Sequence, residues 1–287
     1  MKRIVKNCIL LIIFAMVRPR PVARFLIKLG LIAAPTHDLL RPRTQSSPQA
    51  ATIQTDAQQN QEAIVEAGPC KGMRYPFRGS YGSIFEGKLY GTYESELSPV
   101  FERLFEQKKY TQLIDIGAAE GYYAIGLAQR HPSLDVVTFD ISPKAREMQK
   151  QIAAHNAVSD RITIGQYCAP KTLTVLPLHQ PTLLICDCEG YEGILFADRS
   201  TAEQLKESDL IVELHTSPGI NIRQQIEQVF AATHSISFVS AQTPIEKYLS
   251  CKEQLPQDLS HENVYKILNE KRKRSFGWLV MEANQNA

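Results

Sequence analysis

Short apolar runs alternate with amphipathic stretches along most of the chain after residue 112, and this alternation restricts the possible folds more than any other feature. Seven runs have the length and residue types of β-strands: 112–116, 135–140, 161–165, 182–187, 209–214, 234–240 and 277–282. Helical patterns lie between several of them, notably at 121–130, 143–156 and 219–231. Alternating strands and helices predict an α/β fold with a largely parallel sheet and helices on both faces. Ligands of such sheets bind beyond the carboxyl ends of the strands, so those ends are expected to hold the functional residues.

Charge is distributed unevenly along the sequence. The 287 residues have a formal net charge of only +2. Residues 1–43 contain nine lysines and arginines and a single acid, Asp38, which leaves the rest of the chain with a net charge of −6. The folded part therefore lacks the basic character that nucleic-acid binding requires, and we expect no nucleic-acid partner.

Residues 1–40 form a basic and apolar N-terminal segment. Its apolar stretches, 8–17 and 25–34, are each too short for a membrane span, which takes about 20 residues. Residues 1–35 also carry seven basic residues and no acid, a pattern typical of peripheral contact with an anionic lipid surface. An N-terminal helical extension packed on the domain would explain the same pattern. A cleaved signal peptide is disfavoured because RPRP follows the first apolar run, so we expect a cytoplasmic protein.

A polar stretch separates this segment from the rest of the chain. Residues 41–64 are rich in glutamine and poor in large apolar side chains, which predicts a flexible linker. The folded domain is expected to comprise residues 65–287.

The six cysteines show no spacing typical of a metal site. No CxxC pair occurs, so the usual zinc arrangement is absent from the sequence. Cys186 and Cys188 lie within LICDCEGYEG, at the end of a predicted strand. We expect their side chains to point to opposite faces of the strand and to pack rather than react.

The first strand runs into LIDIGAAEGYYAIGLA, residues 113–128. Gly117 and Gly121 bracket a tight turn at the start of a helix, where backbone amides could face a ligand. The dinucleotide pattern G-x-G-x-x-G is absent. Asp115 would repel a pyrophosphate but suits a ligand with ammonium and sulfonium groups, so we favour S-adenosylmethionine over a dinucleotide.

The second strand ends at Asp140, 25 residues after Asp115. An acid in this position can accept hydrogen bonds from both hydroxyls of a ribose. An aspartate before a helix is also a common N-cap, but Ser142 can fill that role. We therefore predict that Asp140 binds ribose.

Several of these motifs together resemble those of class I S-adenosylmethionine-dependent methyltransferases, particularly the FkbM-type family. They are LIDIGAAEGYYAIGLA, VVTFD, LLICDCEGYEGIL and LIVELH, with D-x-E-G-x-E at residues 187–192 the most specific. The resemblance covers roughly residues 110–215, and is weaker in KLYGTYESEL before it. It implies a Rossmann-like, seven-stranded methyltransferase sheet with a reversed final strand, supplied here by residues 276–283.

The resemblance also implies the residues that would bind S-adenosylmethionine. They are Asp115, Gly117, Ala118, Gly121, Asp140, Ile141, Gln166 and Asp187. The sequence departs from the common pattern at Ala119, where many members carry a glycine, and at Gln166, where an acid commonly contacts adenine.

Removal of a proton from an acceptor hydroxyl requires a nearby base, and three candidates follow strands four and five. Asp187 and Glu189 are the first two, and His215 is the third, although a purely structural role fits His215 equally well. Asp187 could instead bind the methionine ammonium. Glu213 is expected to share a strand face with His215. No third ligand accompanies Asp187 and Glu189, so we predict no metal ion.

The predicted function is methylation of a hydroxyl on a sugar, a lipid-linked compound or a small secondary metabolite. The alternatives are an N- or C-methyltransferase and a non-catalytic module that uses the cofactor fold to bind a partner. Segments 65–94 and 241–275 carry no decisive motif and are expected to shape the pocket of a small-molecule or glycan acceptor.

Overall fold

A seven-stranded sheet forms the centre of the computed structural model, which describes residues 61–216, 221–272 and 275–284. Before it lies a two-stranded hairpin of β1 (Ala63–Ile64) and β2 (Arg74–Tyr75). The strands of the large sheet are β3 (Gln112–Ile116), β4 (Asp135–Phe139), β5 (Ile162–Gly165), β6 (Thr182–Cys186), β7 (Asp209–Leu214), β8 (His234–Ser240) and β9 (Gly277–Ala283). The predictions for residues 1–40, and for residues 41–60 of the linker, lie outside the described residues.

The strand order of the large sheet is β5-β4-β3-β6-β7-β9-β8. The pairs from β5 to β7 are parallel, whereas β9 is antiparallel to both β7 and β8. The final strand is thus the reversed one, and the predicted Rossmann-like, seven-stranded methyltransferase sheet is confirmed. The order changes direction at β3, whose neighbours are β4 and β6, and a switch of this kind opens a crevice above the strand ends.

The predicted strands agree with the observed ones to within about a residue. β4 ends at Phe139 and β6 at Cys186, each one residue before the predicted end. Asp140 and Asp187 therefore begin the turns that follow these strands.

Helices connect the strands and cover both faces of the sheet. They are α1 (Phe85–Leu89), α2 (Ser98–Gln107), α3 (Tyr122–Arg130), α4 (Pro143–His155), α5 (Pro170–Val175), α6 (Glu192–Leu195), α7 (Arg199–Gln204), α8 (Ile222–Phe230), α9 (Pro244–Cys251) and α10 (His261–Leu268). Two separate clusters of buried apolar side chains result, one on each face, and nearly every residue of β3, β6 and β7 is buried. Burial on both faces explains why these strands read as continuous apolar runs.

Two of the first five described residues are buried. Ala63 and Val65 lie in the core, and β1 pairs with β2. The last residues of the predicted linker, 63 and 64, therefore belong to the folded unit. None of the described helices is long and apolar enough to cross a membrane.

Candidate active site

The turn between β3 and α3 uses its own amides within the protein. The amides of Gly117 and Ala118 donate to the carbonyl of Phe139 at 2.8 and 3.2 Å. Ala119 donates to Oδ2 of Asp140 at 2.9 Å, and Gly121 donates to the carbonyl of Ala118 at 2.7 Å. The expectation that these amides face a ligand is wrong, because the end of β4 already takes three of them. The amides of residues 117–119 are therefore not available to bind a phosphate.

Gly117 lies directly against the turn that follows β6. Its φ is +84°, and a Cβ atom there would come within 1.6 Å of the carbonyl oxygen of Asp187. The amide of Asp187 in turn donates to the carbonyl of Ile116 at 2.8 Å. The turns after β3 and β6, which are 70 residues apart in the sequence, are thus in direct contact. This contact leaves no room for a side chain at Gly117.

Asp140 is held by two backbone amides. Besides Ala119, the amide of Ser142 donates to its Oδ1 at 2.7 Å. Burial raises the pKa of Asp140, and these two hydrogen bonds act in the opposite direction. The hydroxyl of Ser142 accepts from the amide of Ala145 and caps α4, as predicted. Each carboxylate oxygen of Asp140 retains a second lone pair for a ligand.

Two other predicted cofactor residues lie close to Asp140 at the sheet edge. Ile141 is 59% exposed, which is high for an isoleucine. Gln166 is exposed and follows the last residue of β5, the strand next to β4. The amide of Asp140 donates to the carbonyl of Gly165 at 3.3 Å, which joins the two strand ends. The structure thus brings Asp140, Ile141 and Gln166 together.

Asp115 lies beneath the turn and is almost fully buried. Burial raises its pKa to about 8, and the nearby charges of Asp187 and Asp140 add to this effect. The side chain is therefore mostly protonated at pH 7 in the absence of a ligand. A cation bound next to it would favour the ionised carboxylate.

A cleft of about 360 Å³, its open mouth included, lies over the ends of β3 and β6. The glycine turn, Asp115 and Asp187 line it, as the sequence led us to expect. It is also lined by residues that the sequence analysis did not single out for the site: Lys88, Tyr93, Glu94, Tyr122, Tyr123, Ile185 and Trp278. The N-terminal part of the domain and β9 therefore supply four of the twelve residues that line the cleft.

A buried ion pair joins the N-terminal part of the domain to the turn. Nζ of Lys88 lies 2.5 Å from Oε1 of Glu120, and the two side chains are 3% and 0% exposed. Glu120 also accepts from the hydroxyl of Tyr75 and from the amide of Tyr81. Sequence reasoning missed this pair, although a charged residue within an apolar turn was a signal that it needs a buried partner.

Three carboxylates meet at the ends of β6 and β7. Oxygen atoms of Glu94, Asp187 and Glu213 all lie within 4.8 Å of one another. Arg272 pairs with Glu94 and, at 3.0 Å, with Glu213, while the hydroxyl of Tyr123 donates to Glu94 at 2.7 Å. One cation thus serves two of the three acids, Glu94 and Glu213, which are buried, whereas the Asp187 side chain is 31% exposed.

Burial and the proximity of the carboxylates change the pKa values of Asp187 and Glu213. Burial raises the pKa of Asp187 to about 6, against the opposing effect of His215. Burial also raises the pKa of Glu213, and the charge of Asp187 raises it further. Each carboxylate therefore makes ionisation of its neighbour less favourable, as adjacent carboxylates do elsewhere.

His215 brings the three predicted catalytic residues together. Its Nε2 lies 3.7 Å from Oδ1 of Asp187 and 3.7 Å from Oε2 of Glu189. Its Nδ1 lies 3.0 Å from Oε1 of Glu192, a fully buried carboxylate that fixes the ring. Burial lowers the pKa of His215, but the hydrogen bond and charge of Glu192, together with the charges of Asp187 and Glu189, raise it by more, so the net pKa is above the usual value.

The same three residues could also bind a divalent cation. Asp187, Glu189 and His215 offer one ligand atom each within 4.8 Å, and Glu94, Asp187 and Glu213 form a second group of this kind. The expectation that no third ligand accompanies Asp187 and Glu189 is therefore wrong. The arrangement can act as a base with its orienting partners or as a metal centre.

Cys186 and Cys188 do not point apart as predicted. Their sulfurs are 3.3 Å from each other. Residues two apart on a strand share a face, and the chain leaves the strand only after Cys186. Burial raises the pKa of Cys186 well above its usual value, so it is a thiol at neutral pH rather than a metal-binding thiolate.

No protein-family model matches this sequence, and no curated protein matches it. Among solved structures it is similar to the O-methyltransferase segment of StiE, with 16% identity and a TM-score of 0.39 over 74% of this chain and 88% of that one. It is also similar to geranyl diphosphate methyltransferase in complex with S-adenosylmethionine, with 9% identity and a TM-score of 0.41 over 72% and 98%.

A third solved structure that resembles this chain has a different kind of activity. The [4+2]-cyclase SpnF has 10% identity and a TM-score of 0.40 over 65% of this chain and 82% of its own. None of these three proteins is described as FkbM-type. At such values the likenesses carry no argument about activity, and the fold rests on the strand order and directions given above.

Proposed function

We propose that this protein is an S-adenosylmethionine-dependent methyltransferase of the FkbM type that methylates a hydroxyl group. One observation carries the proposal. Asp140, Asp115 and Asp187 lie at the ends of three adjacent strands around a turn whose amides are already bonded within the protein. The bonded amides of residues 117–119 disfavour a pyrophosphate, and the three acids around them suit a sulfonium and ammonium compound.

The residues present fit each part of that cofactor. Asp140 would accept from the ribose hydroxyls through the free lone pairs of its carboxylate. Ile141, exposed beside it, and Gln166 on the next strand would contact the adenine. Asp115 and Asp187 lie where the cationic end would be, and the charge of that end would lower the raised pKa of Asp115.

S-adenosylmethionine would supply an electrophilic methyl group. The acceptor oxygen would take this methyl group in place of its proton, the sulfur would leave as a neutral thioether, and a base of the protein would hold the proton. Asp187 and His215 are the bases that we propose, because Glu192 fixes the His215 ring. Glu189, with a 74% exposed side chain, would orient the acceptor at the mouth. Most of the rate enhancement would come from positioning the acceptor hydroxyl next to the methyl group.

We also propose a class of acceptor, from the side chains of a second cavity. A second cavity, of about 1020 Å³ including open solvent, adjoins residues 95–96, which directly follow Glu94 of the first. Hydroxyl and amide side chains such as Ser95, Ser240 and Gln242 line it. Groups of this kind suit a glycan or another small molecule rich in hydroxyls.

Calorimetric titration with S-adenosylhomocysteine and with NAD tests the cofactor assignment. We expect wild type to bind S-adenosylhomocysteine and not NAD, and Asp140→Asn to bind it at least about tenfold more weakly, since hydrogen bonds to charged groups contribute about 1.5–3 kcal/mol each. Asp135→Asn, at the exposed opposite end of the same strand, is the matched control and should bind like wild type.

Equal affinity of Asp140→Asn and Asp135→Asn for S-adenosylhomocysteine, or a preference of wild type for NAD, would refute the cofactor assignment. Cofactor binding without transfer to any glycan or small-molecule hydroxyl would favour the non-catalytic module or an N- or C-methyltransferase. Loss of transfer in EDTA, restored by Mg²⁺, would make Asp187, Glu189 and His215 metal ligands instead of bases.

We also propose that residues 1–35 attach the protein to anionic membranes. The seven basic residues and two apolar stretches of this segment support the proposal. The full-length chain should sediment with anionic vesicles at low salt, and a chain that starts at residue 61 should not. Equal sedimentation of both, or of neither, would contradict it.

A further inference from the structure

Helix α9 exposes apolar side chains along one face. Ile245 is 73% exposed, Leu249 is 70% exposed and Tyr248 beside them is 46% exposed. These positions are three and four residues apart, and Lys252 follows one turn later, so the four side chains form one stripe that we call the α9 face. Apolar residues on a surface are normally scattered singly, whereas a cluster of this kind indicates a surface that contacts something.

The other side of α9 is fixed to the domain. Nζ of the buried Lys247 lies 3.1 Å from Oε2 of Glu96, and Cys251 is also buried. At the start of the helix, the hydroxyl of Thr243 accepts from the amide of Glu246. The helix cannot rotate to bury its apolar face without breaking these contacts. The α9 face is therefore held outward by the packing of the domain.

The α9 face lies at the same edge of the sheet as the candidate site. Ser240, the last residue of β8, pairs with Gly277, which also pairs with Leu214 at the end of β7. α9 begins four residues after Ser240. Glu246 and Ser250 of this helix line the second cavity. One side of α9 thus borders the cavity in which we propose that the acceptor binds, and the other side is the exposed apolar face.

The size and residue types of this face favour a lipid surface over a protein partner. Its three apolar side chains would remove roughly 400 Å² from water, whereas a stable protein interface buries about 800 Å² on each partner. Leucine is also under-represented among the residues that dominate protein interfaces. Aliphatic side chains with a tyrosine and a lysine at the edge suit a membrane, where the amphipathic side chains reach the headgroups.

The charge on the α9 face is small. Lys252 is exposed, and the carboxylate of Glu253 lies 4.0 Å from its Nζ. Insertion of this face would therefore depend on burial of Ile245 and Leu249 rather than on attraction to anionic lipid. This differs from residues 1–35, whose seven basic residues would supply the charge attraction.

We propose that the α9 face inserts into the headgroup boundary of a lipid membrane, with Ile245 and Leu249 among the acyl chains and Tyr248 and Lys252 at the headgroups. The inference concerns the described domain, and it depends neither on the membrane contact of residues 1–35 nor on the identity of the cofactor. It places the second cavity next to the membrane surface, because the same helix borders both.

Tryptophan fluorescence tests this contact in the full-length protein. The chain has a single tryptophan, Trp278, which is buried and gives a constant background. In Leu249→Trp, vesicles of phosphatidylcholine and phosphatidylglycerol should shift the added emission to shorter wavelength, and lipids brominated on the acyl chains should quench it. The matched control is Val175→Trp, at a 68% exposed apolar position on α5. Residues 175–177 lie at the opposite edge of the sheet, where Gln112 of β3 donates to the carbonyl of Pro177.

A second pair of variants tests the same face without a reporter. Ile245→Ser/Leu249→Ser should bind the vesicles at least about tenfold more weakly than wild type, because both side chains lose their contact with lipid. Val175→Ser should bind them like wild type. Thermal unfolding of each variant confirms that the protein compared is folded, and sedimentation equilibrium without lipid measures self-association.

The outcomes separate this inference from the other proposals. Quenching of Leu249→Trp but not of Val175→Trp supports the contact. Quenching of neither or of both equally, or unchanged vesicle binding by the double serine variant, overturns it. A dimer of wild type that the double serine variant dissolves would make the α9 face a contact between two copies of this chain, and would also overturn it. None of these results affects the binding of S-adenosylhomocysteine, on which the proposed function depends.

Discussion

The two sides of the site are held together by different means. On the glycine-turn side, residues 117–121 and Asp140 are fixed by backbone amides at the ends of β3 and β4. On the carboxylate side, side-chain ion pairs join remote segments: Arg272 reaches Glu94 across 178 residues, and Lys247 pairs with Glu96 and Glu270. One side depends on backbone shape and the other on buried charge.

This difference predicts how each side fails. Backbone hydrogen bonds are insensitive to pH, and they tolerate changes of side chain as long as the chain path is kept. Buried ion pairs depend on the protonation of every partner, and removal of one partner leaves an uncompensated charge. Substitutions that change shape should therefore damage the turn, and changes of charge or pH should damage the carboxylates.

The largest effect is expected at Gly117. In Gly117→Ala the new Cβ would meet the carbonyl of Asp187 at 1.6 Å, so one of the two turns must move. We expect a loss of more than about 3 kcal/mol in unfolding free energy, together with loss of S-adenosylhomocysteine binding. Urea denaturation and calorimetric titration measure the two effects.

Gly190→Ala is the matched control for this substitution. Its φ is +97°, similar to that of Gly117, but the nearest atom to a Cβ is 3.9 Å away. Only the backbone strain of about 1–2 kcal/mol should remain. If both variants lost the same stability, the contact between the two turns would not be what fixes the glycine side.

The sequence predicts the glycine-turn side well because its determinants are local. Apolar runs mark β3 and β4, Gly117 and Gly121 mark the turn, and Asp140 follows directly after a strand. The same local logic correctly predicted Ser142 as a helix cap. The amides of the turn were predicted wrongly because their acceptors lie on a neighbouring strand, and strand order is not a local property.

The carboxylate side was predicted only in part. Asp187, Glu189 and His215 follow apolar strands, so their position at the sheet edge could be inferred. Their partners come from segments in which no residue was marked for the site: Glu94 lies in a left-handed turn, and Arg272 in the irregular stretch before β9. Ion pairs over such separations depend on packing of the whole domain, which no spacing in the sequence reveals.

Arg272 provides the next largest effect and tests the carboxylate side. Arg272→Met removes the cation shared by Glu94 and Glu213, and also a weaker 3.7 Å contact with Glu270. We expect a loss of about 3 kcal/mol in unfolding free energy at pH 8. The loss should shrink at pH 5, because protonation of the unpaired carboxylates relieves their repulsion. Urea denaturation at both pH values measures it.

Lys266→Met serves as the control for Arg272→Met, because it breaks an exposed pair within one helix. It should change stability little at either pH. A loss for Arg272→Met that is the same at pH 5 and pH 8 would show that packing, and not charge, makes Arg272 necessary.

Asp115 gives a smaller and pH-dependent effect on the turn side. Its folded pKa of about 8 lies above the unfolded value, so its contribution to stability is complete in acid and is lost as pH rises toward 8. Asp115→Asn lacks this titration. Relative to wild type, its unfolding free energy should rise with pH, by at most about 1.4 kcal/mol between pH 6 and pH 7.

Asp198→Asn should show the opposite sign in the same denaturation series. Hydrogen bonds from Ser200 lower the pKa of Asp198, so this variant should lose stability relative to wild type as pH rises above acid. If the unfolding free energy of Asp115→Asn also fell relative to wild type as pH rises, Asp115 would be ionised in the folded protein. The glycine-turn side would then depend on charge as well.

The smallest effect is expected where the two sides meet, at Cys186 and Cys188. Asp187 lies between them, and Glu192 accepts from the amide of Cys188, so a reactive or metal-binding pair of thiols would connect both sides. The raised pKa of Cys186 argues instead for packing.

The double variant Cys186→Ala/Cys188→Ala should lose at most about 2 kcal/mol of unfolding free energy. It should keep its affinity for S-adenosylhomocysteine within about twofold, because neither sulfur lines the cleft. Calorimetric titration measures the affinity, and elemental analysis of wild type detects bound metal. Stoichiometric zinc in wild type, or a folded double variant that no longer binds, would show that the thiols belong to the site.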